Sequence, residues 1–169
     1  MTMIKGDVWK LGRDIDTDVI IAGRYCNISD PTELAKYVFE DLDPNFVKTF
    51  KPGDVIVADN NFGCGSSREV APLTLKAAGV AAVVAPTFAR IFYRNCINIG
   101  LPIFEIPDVA KDFEKGQQIS IDPETGKVTN VTTGVTLQAA PFPAFMQKIM
   151  DVGGLVAYAS ERLGGAKNE

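Results

Sequence analysis

From Val55 to Ile106 the chain alternates short apolar runs with segments of helical pattern, and this alternation limits the possible folds more than any other feature. Val55 to Ala58, Val80 to Ala85 and Leu101 to Ile106 are compact and rich in Val, Ile and Ala, as buried strands are. Between them, one helix is predicted from about Ser67 to Ala78, stopping at Gly79. Pro72 fits that helix only near its first turn. A second helix is introduced by Pro86 or Thr87, runs through Asn98 and ends at Gly100. Strand and helix in turn argue for a parallel, helix-covered sheet.

The flanks differ. Met3 to Trp9 is an opening strand, followed by the acidic loop Gly12 to Asp18 and the apolar run Val19 to Ala22. Gly23 to Asp30 shows neither a strand nor a helix period. Ser29 or Asp30 then caps a helix with Pro31 near its start and Leu34, Tyr37, Val38 and Leu42 as its apolar face. Beyond Ile106, Gln117–Ile121, Lys127–Val131 and Val135–Leu137 are short strands joined by turn residues, a hairpin-rich region. A closing amphipathic helix spans about Pro143 to Leu163, broken or weakened at Gly153-Gly154, and the tail Gly164 to Glu169 is expected to be mobile. One mixed α/β domain covering residues 1–169 is the expected organisation.

Composition narrows the function. Lys and Arg number 17 against 21 Asp and Glu, for a formal charge of −4, and the basic residues are scattered singly. Nucleic-acid binding is disfavoured, and a small anion would be met by local arginines. No run is long enough to span a membrane, and Met1 to Lys10 lacks the apolar core of a signal peptide. The three cysteines, Cys26, Cys64 and Cys96, are far apart, which suggests reduced thiols in the cytoplasm and argues against a metal cluster on this chain. Histidine is absent. That removes Ser–His and Cys–His nucleophilic chemistry, HExxH zinc sites and the commonest general base.

The chemistry-bearing segment is Gly63-Cys64-Gly65-Ser66-Ser67-Arg68. Two hydroxyls and a guanidinium at a predicted helix N-terminus would form a carboxylate or phosphate cradle. No Lys follows as a Walker A requires, and Arg68 stands where a dinucleotide fingerprint needs glycine. The alternative is that Ser66 only caps the helix and Arg68 is solvated. Arg90 and Arg94, one helical turn apart, are read as surface charge, with an anionic ligand or partner as the other option. Asp14, Asp16 and Asp18 alternate; turn chemistry is preferred over a divalent-ion loop.

Three ordered blocks carry a family resemblance: Asp16-Thr17-Asp18-Val19-Ile20-Ile21, Gly63 to Glu69, and Phe88 to Pro102. They resemble the small subunits of isopropylmalate dehydratase, the related homoaconitase small subunits and the swivelling C-terminal domain of aconitase. The resemblance implies a three-layer β/β/α swivelling domain that closes over an active site on a separate large subunit, in a heterodimer or heterotetramer. It places a [4Fe–4S] cluster on that large subunit and no cofactor or metal on this chain. The cluster's open iron acts there as a Lewis acid toward a small hydroxy-dicarboxylic acid. Ser66 matches the serine whose alkoxide removes a proton next to a carboxylate. Ser67 and Arg68 would bind a substrate carboxylate with the Gly65 loop, and Asp18 matches an acidic residue of the active-site surround.

Two positions depart from the family pattern. Val70 stands where the motif usually continues Glu-His, so any role of that histidine is lost. In the loop Arg24-Tyr25-Cys26-Asn27-Ile28, which lies where these enzymes read the variable substrate group, Asn27 occupies the place of the homoaconitase arginine. An apolar substituent is favoured accordingly, unless Arg24 supplies the charge. Isopropylmalate, and with it leucine biosynthesis, ranks first; dimethylmalate and citramalate follow, then homoaconitate. A stand-alone carboxylate-binding module and a degenerate structural subunit are the competing classes.

Overall fold

The computed structural model describes residues 2–165. Its strands are β1 (Ile4–Lys10), β2 (Val55–Val57), β3 (Ala82–Ala85), β4 (Ile103–Glu105), β5 (Gln118–Asp122), β6 (Lys127–Asn130) and β7 (Thr136–Gln138). Its α-helices are α1 (Thr17–Ile20), α2 (Pro31–Leu34), α3 (Phe46–Thr49), α4 (Val70–Ala77), α5 (Arg90–Ile99), α6 (Ala144–Asp151) and α7 (Leu155–Gly165). All seven strands join in the order β4-β3-β2-β1-β5-β6-β7.

Strand β1 divides the sheet. Its second half pairs in parallel with β2, Val8 opposite Val55 and Lys10 opposite Val57. Its first half pairs antiparallel with β5, Ile4 opposite Ile121 and Asp7 opposite Gln118. Strands β2, β3 and β4 continue the parallel half and are almost wholly buried, as strands covered on both faces must be. In the antiparallel half, β5 and β6 alternate buried with more exposed positions. Helices α4 to α7 pack on one another beside α2 as the helical layer. The sheet curls through β1, giving the three-layer β/β/α arrangement.

The buried Asp54 ties the two halves together at that bend. Its carboxylate accepts hydrogen bonds from the Trp9 indole at 3.1 Å, from the Asp7 amide at 3.2 Å and from the Lys51 amide at 3.0 Å. Trp9 meets Phe46 edge-on and carries the Lys115 ammonium over its face at 4.2 Å. Removing the carboxylate orphans three donors at once. Asp54→Ala is therefore expected to cost about 2–4 kcal/mol. Urea unfolding followed by the fluorescence of the chain's single tryptophan measures this directly.

Several predicted elements shift. The segment after Asp30 is one turn of α-helix, α2, continued by a 3-10 turn at Ala35–Tyr37. Asp30 caps it and Pro31 opens it, but Val38 is extended at ψ 130° and Phe39 follows at a positive φ of 55°, so the winding ends there and Leu42 is left 46% exposed. Helix α4 starts at Val70, three residues later than predicted. Pro72 is the physical reason: three residues in, its missing amide is one of those with no helical partner, whereas a start at Ser67 would lose an internal hydrogen bond. Helix α5 starts at Arg90 because Thr87–Ala89 stays extended against Phe62. The closing helix does break at Gly153-Gly154, into α6 and α7. Of the tail predicted to be mobile, Gly164 and Gly165 belong to α7 and residues 166–169 lie outside the described residues.

Candidate functional site

Two loops are zipped side by side at the C-terminal ends of the parallel strands. The Gly63 amide donates to Ile15 O at 2.8 Å, and the Thr17 amide donates to Cys64 O at 2.8 Å. The Thr17 hydroxyl donates to Ser66 O at 2.9 Å, fixing the backbone of the candidate proton-abstracting residue from across the junction. Gly65 has a φ of +93°, and a side chain there would run into the Asp16 carboxylate. Only glycine satisfies both demands.

The three acidic residues of the first loop diverge. Asp14, itself at positive φ, accepts from the Asn61 amide side chain at 3.0 Å, which holds its carboxyl below the usual range. Asp16 caps α1, accepting from the Asp18 amide at 2.8 Å. Asp18 pairs with Arg68 at 2.7 Å. Only Asp16 does the turn chemistry expected of all three; Asp14 and Asp18 bind side chains distant in sequence.

Arg68 is the hub. Besides Asp18, its Nη1 donates to Cys26 Sγ at 3.3 Å. A side chain at Gly23 would stand 3.2 Å from the guanidinium. The Gly23–Ile28 loop thus reaches the site through Gly23 and Cys26. Arg24 points elsewhere: it binds Asp41 at 2.7 and 3.1 Å, faces Glu40 at 3.5 Å and lies over the Tyr25 ring. Its charge holds the Asp41 carboxyl below the usual range. Asn27 is exposed, and Ile28 packs partly against the core.

A cavity of about 190 Å³ opens between this loop pair and the first turn of α5. Thr17, Gly63, Gly65, Ser66, Ser67 and Arg68 line one wall; Ala89, Arg90, Ile91, Phe92 and Asn95 line the other. This is room for one small organic acid, below the range of drug-sized pockets. Asp18, Arg24, Asn27 and Ile28 are outside its lining. Ser66 and Ser67 are exposed, and no hydrogen bond engages either hydroxyl among the described residues. The amides of Arg90, Ile91 and Phe92 precede the first helical bond, Tyr93 N to Ala89 O, and Ala89 offers no side-chain cap. The helix N-terminus at this cavity therefore belongs to α5, where sequence reasoning had assigned α4. The late start of each helix produces that exchange.

Among the described residues, no group of three or more His, Cys, Asp or Glu side chains could hold a metal ion. Cys26 lies against Arg68, Cys64 beside Asp16, and Cys96 is on the buried face of α5. Burial raises the Cys64 and Cys96 thiols above their ordinary range, and the charges of Asp16 and Asp14 add to the effect at Cys64. These three thiols do not fit an iron–sulfur cluster. A raised thiol pKa means less thiolate at any given pH, so iodoacetamide at pH 8 is expected to label Cys64 and Cys96 much more slowly than a free thiol. Mass-spectrometric mapping of the labelled peptides checks this.

The fold and the paired loops define a class, and comparison with known proteins supports it. Residues 12–108 match the family model described as the aconitase C-terminal domain, and the chain belongs to that family. It is 58% identical over 163 residues to the 3-isopropylmalate dehydratase small subunit of Aliarcobacter butzleri, covering 96% of this chain and 98% of the relative. The small subunit of the same name from Sulfurimonas denitrificans is 57% identical, with 96% of each chain covered. The crystal structure of 3-isopropylmalate dehydratase from Methanocaldococcus jannaschii is 41% identical and superposes with a TM-score of 0.92, over 99% of this chain and 100% of that one.

Proposed function

We propose that this chain is the small subunit of a hydro-lyase that interconverts 3- and 2-isopropylmalate in leucine biosynthesis, active only beside a large iron–sulfur subunit. The relatives' shared name, over nearly the whole chain, supports both the activity and the need for a partner. The observation that carries the chemistry is the cavity in which Ser66, Ser67 and Arg68 converge. The cluster, proposed to sit on the large subunit, supplies the Lewis acid.

In this reading Ser66 is the base. A serine hydroxyl is far too weak an acid to serve unaided, so the alkoxide must be stabilised where it forms. Arg68 stands two residues away, and the first-turn residues of α5, whose amides have no helical partner, line the same cavity. Ser67 donates to a substrate carboxylate and Arg68 pairs with it, Asp18 and Cys26 keeping the guanidinium oriented. Gly65 lets the backbone approach the substrate closely. Val70, where the family has histidine, opens α4 as a partly buried residue packed against the core, so the chain replaces that polar group by apolar packing.

The apolar cavity wall at Ile91 and Phe92, with Arg24 committed to Asp41, favours an apolar substituent over a further carboxylate. Hydration of isopropylmaleate, dimethylmaleate, citraconate and homoaconitate by the reconstituted pair tests this assignment. The highest kcat/KM is expected for isopropylmaleate; a preference for homoaconitate would overturn it.

A further inference from the structure

We infer that Arg90 is a second carboxylate anchor, holding the end of the dicarboxylate that Arg68 leaves free. The inference rests on the dehydratase reading and deepens it. A hydroxy-dicarboxylate carries two negative charges at neutral pH. The chain is itself acidic, with a formal charge of −4, so whatever compensation comes from its side of the shared site has to be local. Arg68 is already partly neutralised by Asp18, and Arg24 is bound to Asp41 and faces Glu40. Arg90 lines the cavity with no hydrogen bond or ion pair among the described residues, and no acidic residue lines that cavity. It is the cation left over.

Its position argues the same way. Arg90 is the first residue of α5, where the helix dipole disfavours a cation and the first turn contains no acidic residue to offset it. A residue that breaks a local rule at a cavity mouth is a candidate for function. The backbones that carry the two arginines are also tied together. Phe62 pairs with the Phe88 strand segment through its amide to Thr87 O at 3.1 Å and through Ala89 N to Phe62 O at 2.9 Å. The Phe62, Phe88 and Phe92 rings pack together beneath, with Gly63 flat against Phe92. The Arg68 wall and the Arg90 wall are thereby joined through a packed aromatic core, which holds their backbones at a set separation while the exposed Arg90 side chain stays unpartnered to meet a carboxylate. Arg94, one turn further along, is exposed and outside the cavity.

Arg90→Gln and Arg90→Lys, each assembled with the cluster-loaded large subunit, test the assignment. Loss of one charge-assisted pair should raise KM for isopropylmalate about 10- to 100-fold in Arg90→Gln, with kcat much less affected and Arg90→Lys intermediate. Inhibition by isopropylsuccinate and by each of its two monoamides gives the sharper readout. One monoamide should bind wild type far more weakly than the diacid yet bind Arg90→Gln as well as the diacid does. The other should lose affinity in both proteins. Unchanged KM and inhibition constants in Arg90→Gln would overturn the inference. So would a loss traced entirely to weaker subunit assembly, measured by sedimentation. An inactive wild-type assembly would instead remove the dehydratase reading, and this inference with it.

Discussion

Replacing Ser66 by Ala is expected to lower kcat of the assembled enzyme by roughly two to four orders of magnitude, with KM within about threefold of wild type. The asymmetry follows from placement. The Ser66 hydroxyl is exposed to the cavity and makes no hydrogen bond among the described residues, so its removal leaves no partner unsatisfied. The backbone of Ser66 is held independently by the Thr17 hydroxyl, a bond that alanine retains. Substrate binding and folding should thus survive while proton abstraction fails. A Ser66→Ala enzyme that keeps wild-type turnover would assign the base to another group.

Arg68→Lys should produce the next largest loss, about 10²- to 10³-fold in kcat/KM, divided between both constants. Arg68 does two things that an ammonium cannot do together. Its Nη1 is spent on Asp18 and Cys26 Sγ, which leaves the remaining edge of the fork for substrate. Lysine is a single point of charge, and Asp18 would capture it. The guanidinium is also flat enough to lie against Gly23, where a side chain would stand 3.2 Å away. Steady-state kinetics of the variant, with melting temperature as the folding control, measures the effect. A loss confined to KM would restrict Arg68 to carboxylate binding and remove its part in stabilising the alkoxide.

What could be seen in the sequence was set by local chemistry. The parallel strands β2, β3 and β4 announce themselves because buried strands are runs of Val, Ile and Ala, and the hairpins β5 to β7 because their turns need glycine. The break at Gly153-Gly154 was equally plain. The helix starts were harder, since each depends on a partner distant in sequence. Thr87–Ala89 is extended only because Phe62 pairs with it, and no periodicity reports that. The same dependence hid Arg90. With Arg94 at helical spacing it looked like surface charge, and only the approach of α5 to the Gly63–Arg68 loop makes it a cavity wall. Nothing local marked it, because the sequence pattern starts that helix at Pro86 or Thr87, ahead of Arg90. Arg24 shows the converse: its binding role looked open until Asp41, 17 residues away, was seen to hold it.

In the proposed reading the chain supplies one wall of the active site, and the small-subunit name its relatives share implies that a second chain completes it. Titrating this chain into a fixed amount of anaerobically reconstituted large subunit, and following isopropylmaleate hydration, tests this most directly. Turnover should be absent at the start, rise with each addition and level off when the large subunit is saturated. Full turnover by the large subunit alone, or none at any ratio despite an intact cluster and a demonstrated complex, would contradict it.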